Sequence, residues 1–110
     1  MKHEINTWLE DISISVKQIY DFLPADIDYV EFEKDLKTQK AIERNIEIIG
    51  EALNRILKVF PDIAISDSRK IVDTRNRIIH GYDSVTPDIL WLIIKRSLPL
   101  LQNEVAELLK

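Results

Sequence analysis

The chain has 110 residues, 45% of them hydrophobic and 31% charged, with a formal net charge of −4. That size and balance fit one globular domain over 1–110, and they exclude a disordered chain or a protein whose overall field draws in polyanions. With no cysteine, two glycines and no apolar run near the ~18 residues of a membrane span, disulfide scaffolds, turn-rich β proteins and membrane helices also drop out.

In the first segment Ile5, Trp8, Leu9, Ile12, Val16, Ile19, Tyr20 and Leu23 recur at steps of three and four, which predicts an amphipathic helix closed by Pro24. A turn at Pro24-Ala25-Asp26 follows, and the stretch near 28–36 with Tyr29, Val30 and Phe32 allows an extra helical turn. The second main helix has the clearest seam: Ile42, Ile46, Ile49, Leu53, Ile56 and Phe60 step 4-3-4-3-4, and Pro61 marks its end. Gly50 sits inside it at a cost of about 1 kcal/mol relative to alanine, which predicts close approach by another helix.

Ser66 or Ser68 is the expected cap of a third helix that turns Ile71, Val72, Ile78 and Ile79 inward and stops at Gly81. Thr86 and Pro87 open the fourth, whose seam is Leu90, Ile94, Leu98, Leu101, Val105 and Leu108, with a kink expected at Pro99. Residues 89–94 are apolar in succession, more than one face needs, so a second subunit is expected to cover part of that helix. The fold class is all-α, an antiparallel four-helix bundle. The first residues lack an apolar stretch of signal-peptide type, and a soluble cytoplasmic protein is expected.

Chemistry concentrates in Arg75-Asn76-Arg77-Ile78-Ile79-His80-Gly81-Tyr82. Residues 69–80 carry Arg69, Lys70, Arg75 and Arg77 against one acid, Asp73, so this segment is positive in an acidic protein. At about 100° per residue Asn76 and His80 share a face, whereas Arg75 and His80 stand about 140° apart on a straight helix. They converge if His80 leaves the helix at its last turn, or if a two-fold axis joins two copies of the segment.

A histidine at a helix C-terminus meets the negative end of the macrodipole, which favours imidazolium. With an arginine to neutralise phosphate and an amide beside it, the set suits phosphodiester chemistry, and the second imidazole, His3, is too little for a zinc site. The plainer reading is that His80 caps the helix, that Arg75 and Arg77 are solvated, and that Tyr82 is a core residue. Glu51, next to Gly50, reads as an ordinary exposed carboxylate or as a residue that orients an arginine.

The pattern Arg75-Asn76-x3-His80-Gly81-Tyr82, with Ile49-Gly50-Glu51-Ala52 on the second main helix, resembles the HEPN superfamily (higher eukaryotes and prokaryotes nucleotide-binding) and its HepT-like toxins. The resemblance implies a metal-independent ribonuclease that needs no cofactor, in which Arg75 and His80 are catalytic and Asn76 supports them. It further implies a homodimer with a composite site, an RNA substrate, and an MntA-like nucleotidyltransferase antitoxin as partner, which silences the toxin by AMPylation of Tyr82. The alternatives are a catalytically idle nucleotide-binding or docking subunit of a nucleotidyltransferase complex, or a structural dimerisation partner.

Overall fold

A computed structural model describes residues 2–81 and 85–110. Helix α1 spans Lys2–Phe22, the short α2 Tyr29–Lys34, α3 Leu36–Val59 and α4 Ser68–Ile79. The last apolar stretch runs as α5 (Pro87–Leu92), a π-helical segment (Ile93–Ser97) and α6 (Leu98–Leu108). No strand occurs among the described residues, so the all-α expectation holds, with α2 as the extra turn. No helix among the described residues is long and apolar enough to cross a membrane.

The long α3 is the hub, packing against α1, α2, α4 and α5, while α6 lies along α1. Its seam residues Ile42, Ile46, Ile49, Leu53 and Ile56 are fully buried. They meet Leu9, Ile12, Val16 and Ile19 from α1 and Leu90, Ile94, Leu98, Leu101 and Val105 from the last stretch. Burying each such side chain stabilises the fold by about 1.5–3 kcal/mol before chain entropy is set against it.

Phe60, placed on the seam by periodicity, is 47% exposed. It is the C-cap of α3, with non-helical backbone angles, and the change of direction before Pro61 carries its ring off the stripe. Ile79 also departs from expectation at 45% exposure: it is the last residue of α4 and borders an open groove beside Arg75.

Neither Ser66 nor Ser68 caps α4. Asp67 holds that position in a left-handed conformation (φ 59°) and makes no side-chain cap bond. Its carboxylate instead accepts from the buried Ser97 hydroxyl at 3.1 Å. The Ser66 backbone N–H and hydroxyl donate to the Glu104 carboxylate at 3.0 and 2.9 Å. The corner before α4 is therefore tied to the end of the chain.

Thr86 is the N-cap of α5 with Pro87 at the first turn, as its sequence demands, although its hydroxyl bonds to the Asp88 side chain. The kink expected at Pro99 takes the form of the π-helical segment just before it. Proline offers no N–H and its ring crowds the carbonyl four residues back, and the wider turn relieves both. Part of the surplus apolar surface is covered within the chain: Trp91 meets Phe32 of α2 at 5.2 Å and Tyr29 at 5.8 Å between ring centroids.

Candidate active site

The site is built where α4 crosses α3. Gly50 is buried, and a Cβ placed on it would lie inside the contact distance of Arg75 Cβ and 2.7 Å from Arg75 Cγ. The missing side chain is thus what lets α4 settle with Arg75 directly over α3. This is the close helix approach that the sequence predicts at Gly50.

The next residue, Glu51, then meets the same arginine. Arg75 Nη2 donates to Glu51 Oε2, and Nη1 donates to Asn76 Oδ1 at 2.8 Å. The second carboxylate oxygen of Glu51 accepts from Arg55 Nε at 3.1 Å. One carboxylate and one amide therefore fix both terminal nitrogens of the guanidinium, whose side chain is 20% exposed. A partly exposed ion pair contributes about 0–1 kcal/mol to stability, so the main effect of this network is on where Arg75 points.

His80 stands at the other end of the motif. It is the C-cap of α4, still in right-handed conformation (φ −81°, ψ −1°), and its backbone N–H donates to the Asn76 carbonyl at 3.1 Å. Gly81 follows with φ +69°, the left-handed residue its position calls for. The imidazole thus continues the line of Asn76 and is exposed, while Arg75 faces α3. Within one chain Arg75, Asn76 and Glu51 are brought together, and His80 lies about 140° around the axis from Arg75. Tyr82, the expected AMPylation position, lies outside the described residues.

An open groove of about 450 Å³ runs from Arg75 and Ile79 across Glu51 and Arg55 to Trp8 on α1. Of its residues, sequence reasoning weighed Glu51 and did not single out Arg55. The signal for Glu51 was its neighbour: a glycine inside a helix marks where two backbones touch, and the adjacent polar residue lies at that crossing. Arg55 carried no signal beyond its four-residue spacing from Glu51.

The chain matches the family described as "Ribonuclease HepT-like" over residues 9–108, and it belongs to that family. It is 34% identical to "Probable ribonuclease HepT" of Thermococcus cleftensis over the full length of both chains. It is 32% identical to "Putative RNase MJ0127" of Methanocaldococcus jannaschii, an alignment that covers 99% of this chain and 90% of the other. No solved structure matches it significantly.

Proposed function

We propose that the chain is the ribonuclease toxin of a toxin–antitoxin pair and cuts RNA without a metal at a composite site built from two copies of the α4 motif. The RNA 2′-hydroxyl attacks its own phosphorus and the bond to the 5′-oxygen breaks. This leaves a 2′,3′-cyclic phosphate and a free 5′-hydroxyl. Arg75 neutralises the phosphate oxygens as their charge rises, and His80 moves a proton at the attacking or leaving oxygen. Asn76 steadies the arginine, and no cofactor takes part. The observation that carries this reading is the anchored guanidinium: Glu51 and Asn76 orient Arg75 at the edge of an open groove, on the segment that ends in His80.

Two copies are needed because one straight helix turns Arg75 and His80 apart. A two-fold axis near the end of α4 would set the arginine of one protomer against the histidine of its partner. The antitoxin is an MntA-like nucleotidyltransferase that transfers AMP from a nucleoside triphosphate to the Tyr82 hydroxyl, releasing pyrophosphate. A bulky anion two residues from His80 would obstruct the cleft and repel the RNA backbone.

The test is cleavage of an oligoribonucleotide in EDTA. Arg75→Ala and His80→Ala should each lower the rate by about 10²-fold or more while the melting temperature changes little. Cleavage that survives both substitutions would favour the docking-subunit reading. Co-expression with the nucleotidyltransferase should add AMP mass to a peptide containing Tyr82, and Tyr82→Phe should abolish the adduct and the silencing.

A further inference from the structure

Helix α4 packs on α3 along one side. Its opposite side borders a second groove of about 570 Å³, closed on the far wall by α5 and lined by Lys70, Asp73, Thr74, Arg77, Ile89 and Leu92. The two grooves differ in how their charges are placed. Around Arg75 the carboxylates Glu47 and Glu51 lie within ion-pair distance of Arg44, Arg55 and Arg75. In the second groove neither Lys70 nor Arg77 has a carboxylate partner among the described residues, and Asp73 pairs with neither. In a protein of net charge −4 these are cations left to face solvent. Between them the floor is apolar, with Ile89 partly buried and Leu92 46% exposed.

The direction of this groove links it to the motif. Asp73, Arg77 and His80 stand at i, i+4 and i+7 on α4, within about 60° around its axis, and Lys70 is a further seven residues before Arg77 on the same side. His80 keeps right-handed backbone angles and its bond to Asn76, so it continues that face. The groove is lined along α4 from Lys70 to Arg77, about 10 Å apart along the axis, and this line points on toward the end of the helix, where His80 stands one turn further.

We infer that the α4–α5 groove is the path by which a single-stranded RNA reaches His80, with Arg77 and Lys70 on successive phosphates and Ile89 and Leu92 beneath sugars and bases. The occupant follows from the charge: unpaired cations flanking an apolar strip suit a polyanion with flat apolar rings. A single strand is specified because a groove bounded by two helices admits one chain, and because in-line attack needs a sugar free of duplex geometry. This inference rests on the ribonuclease reading and concerns how the substrate is held, a matter separate from cleavage itself.

The experiment measures binding of a 2′-O-methyl oligonucleotide, which cannot form the cyclic phosphate, by fluorescence anisotropy across a salt series. Cleavage of the matching unmodified RNA is measured alongside. Arg77→Gln and Lys70→Gln should each weaken binding and lower the steepness of log K against log salt by about 0.7, the single-strand value per phosphate contact. Arg77→Lys should keep the slope, and Lys17→Gln, an exposed lysine on α1, should leave it unchanged.

An unchanged slope in both groove variants, in a protein that still cleaves RNA, overturns the groove and leaves the ribonuclease reading standing. Groove-dependent binding without any cleavage supports the groove and removes the ribonuclease reading. Variants that lose the nucleotidyltransferase but bind the oligonucleotide as before would make this a protein-docking surface and overturn the inference.

Discussion

Glu51, with Asn76, decides where the guanidinium of Arg75 is held. Because Glu51 and Arg75 are both partly solvent-exposed, their pairing contributes little to stability, and its loss should register mainly in function. Glu51→Gln is expected to change the stability by less than about 1 kcal/mol. The same variant should slow RNA cleavage, and calorimetry beside a rate assay checks both. Gly50→Ala should behave differently. Alanine removes about 1 kcal/mol of helix penalty at that position, but the new methyl meets Arg75 Cβ, which no side-chain rotation can move, and the adjoining Cγ. Overpacking of that kind costs about 1–3 kcal/mol, so the net effect is destabilising, with Arg75 displaced and cleavage lost together. A Gly50→Ala protein that melts higher and cuts normally would show that α4 has room to retreat.

Among the elements, the start of α3 carries a cap with a pH signature. Asp35 accepts from the Thr38 hydroxyl at 2.6 Å and from the Thr38 backbone N–H at 3.1 Å, and these bonds hold its carboxyl below the ordinary range. A depressed folded-state value means that the cap stabilises above the unfolded pKa, about 3.9, and that this contribution fades as pH falls below it. Asp35→Ala should therefore melt below wild type at pH 7, and the gap should narrow under acid. Asp35→Asn should keep most of the cap without the pH dependence. The element scale also shows what a sequence reveals. The seam of α3 was legible because periodicity is local, and so were Pro24 and Gly81, each of which acts on its own backbone. Gly50 was legible because a glycine inside a helix is costly without a close neighbour. The left-handed Asp67 at the start of α4 was not, because its hydroxyl donor, Ser97, lies 30 residues away. The Glu51–Arg75 pair, separated by 24 residues, was visible only as a glycine beside an acid.

At the scale of the whole molecule, Arg75 and His80 point to different sides of α4, which is why the proposed site needs two chains. Arg75→Ala and His80→Ala proteins, each inactive alone, should regain cleavage when unfolded together and refolded as a mixture, since a mixed dimer restores one arginine opposite one histidine. Activity that stays absent in a mixture shown by mass spectrometry to contain mixed dimers would place both groups in the same protomer. The overall bundle was readable from four apolar stripes. Of the apolar run expected to face a second subunit, Trp91 is covered from within the chain by Tyr29 and Phe32 of α2.

The tether between the two ends of the fold has a consequence for how the protein breathes. Ser66 is held by Glu104 and Asp67 by Ser97, so the corner that aims α4 is fastened to the last stretch of helix. Loosening that stretch frees the corner, and the motif then opens with a segment that contains none of its residues. Hydrogen exchange should expose this as one cooperative unit. Leu101→Ala, a cavity in α6, should speed exchange at the Ser66 and Ile71 amides in step with those of α6, while amides in the middle of α3 keep their slower rate. The moving part of the molecule is then a hinged pair, the motif helix and the C-terminal helix, swinging on the rigid post of α3.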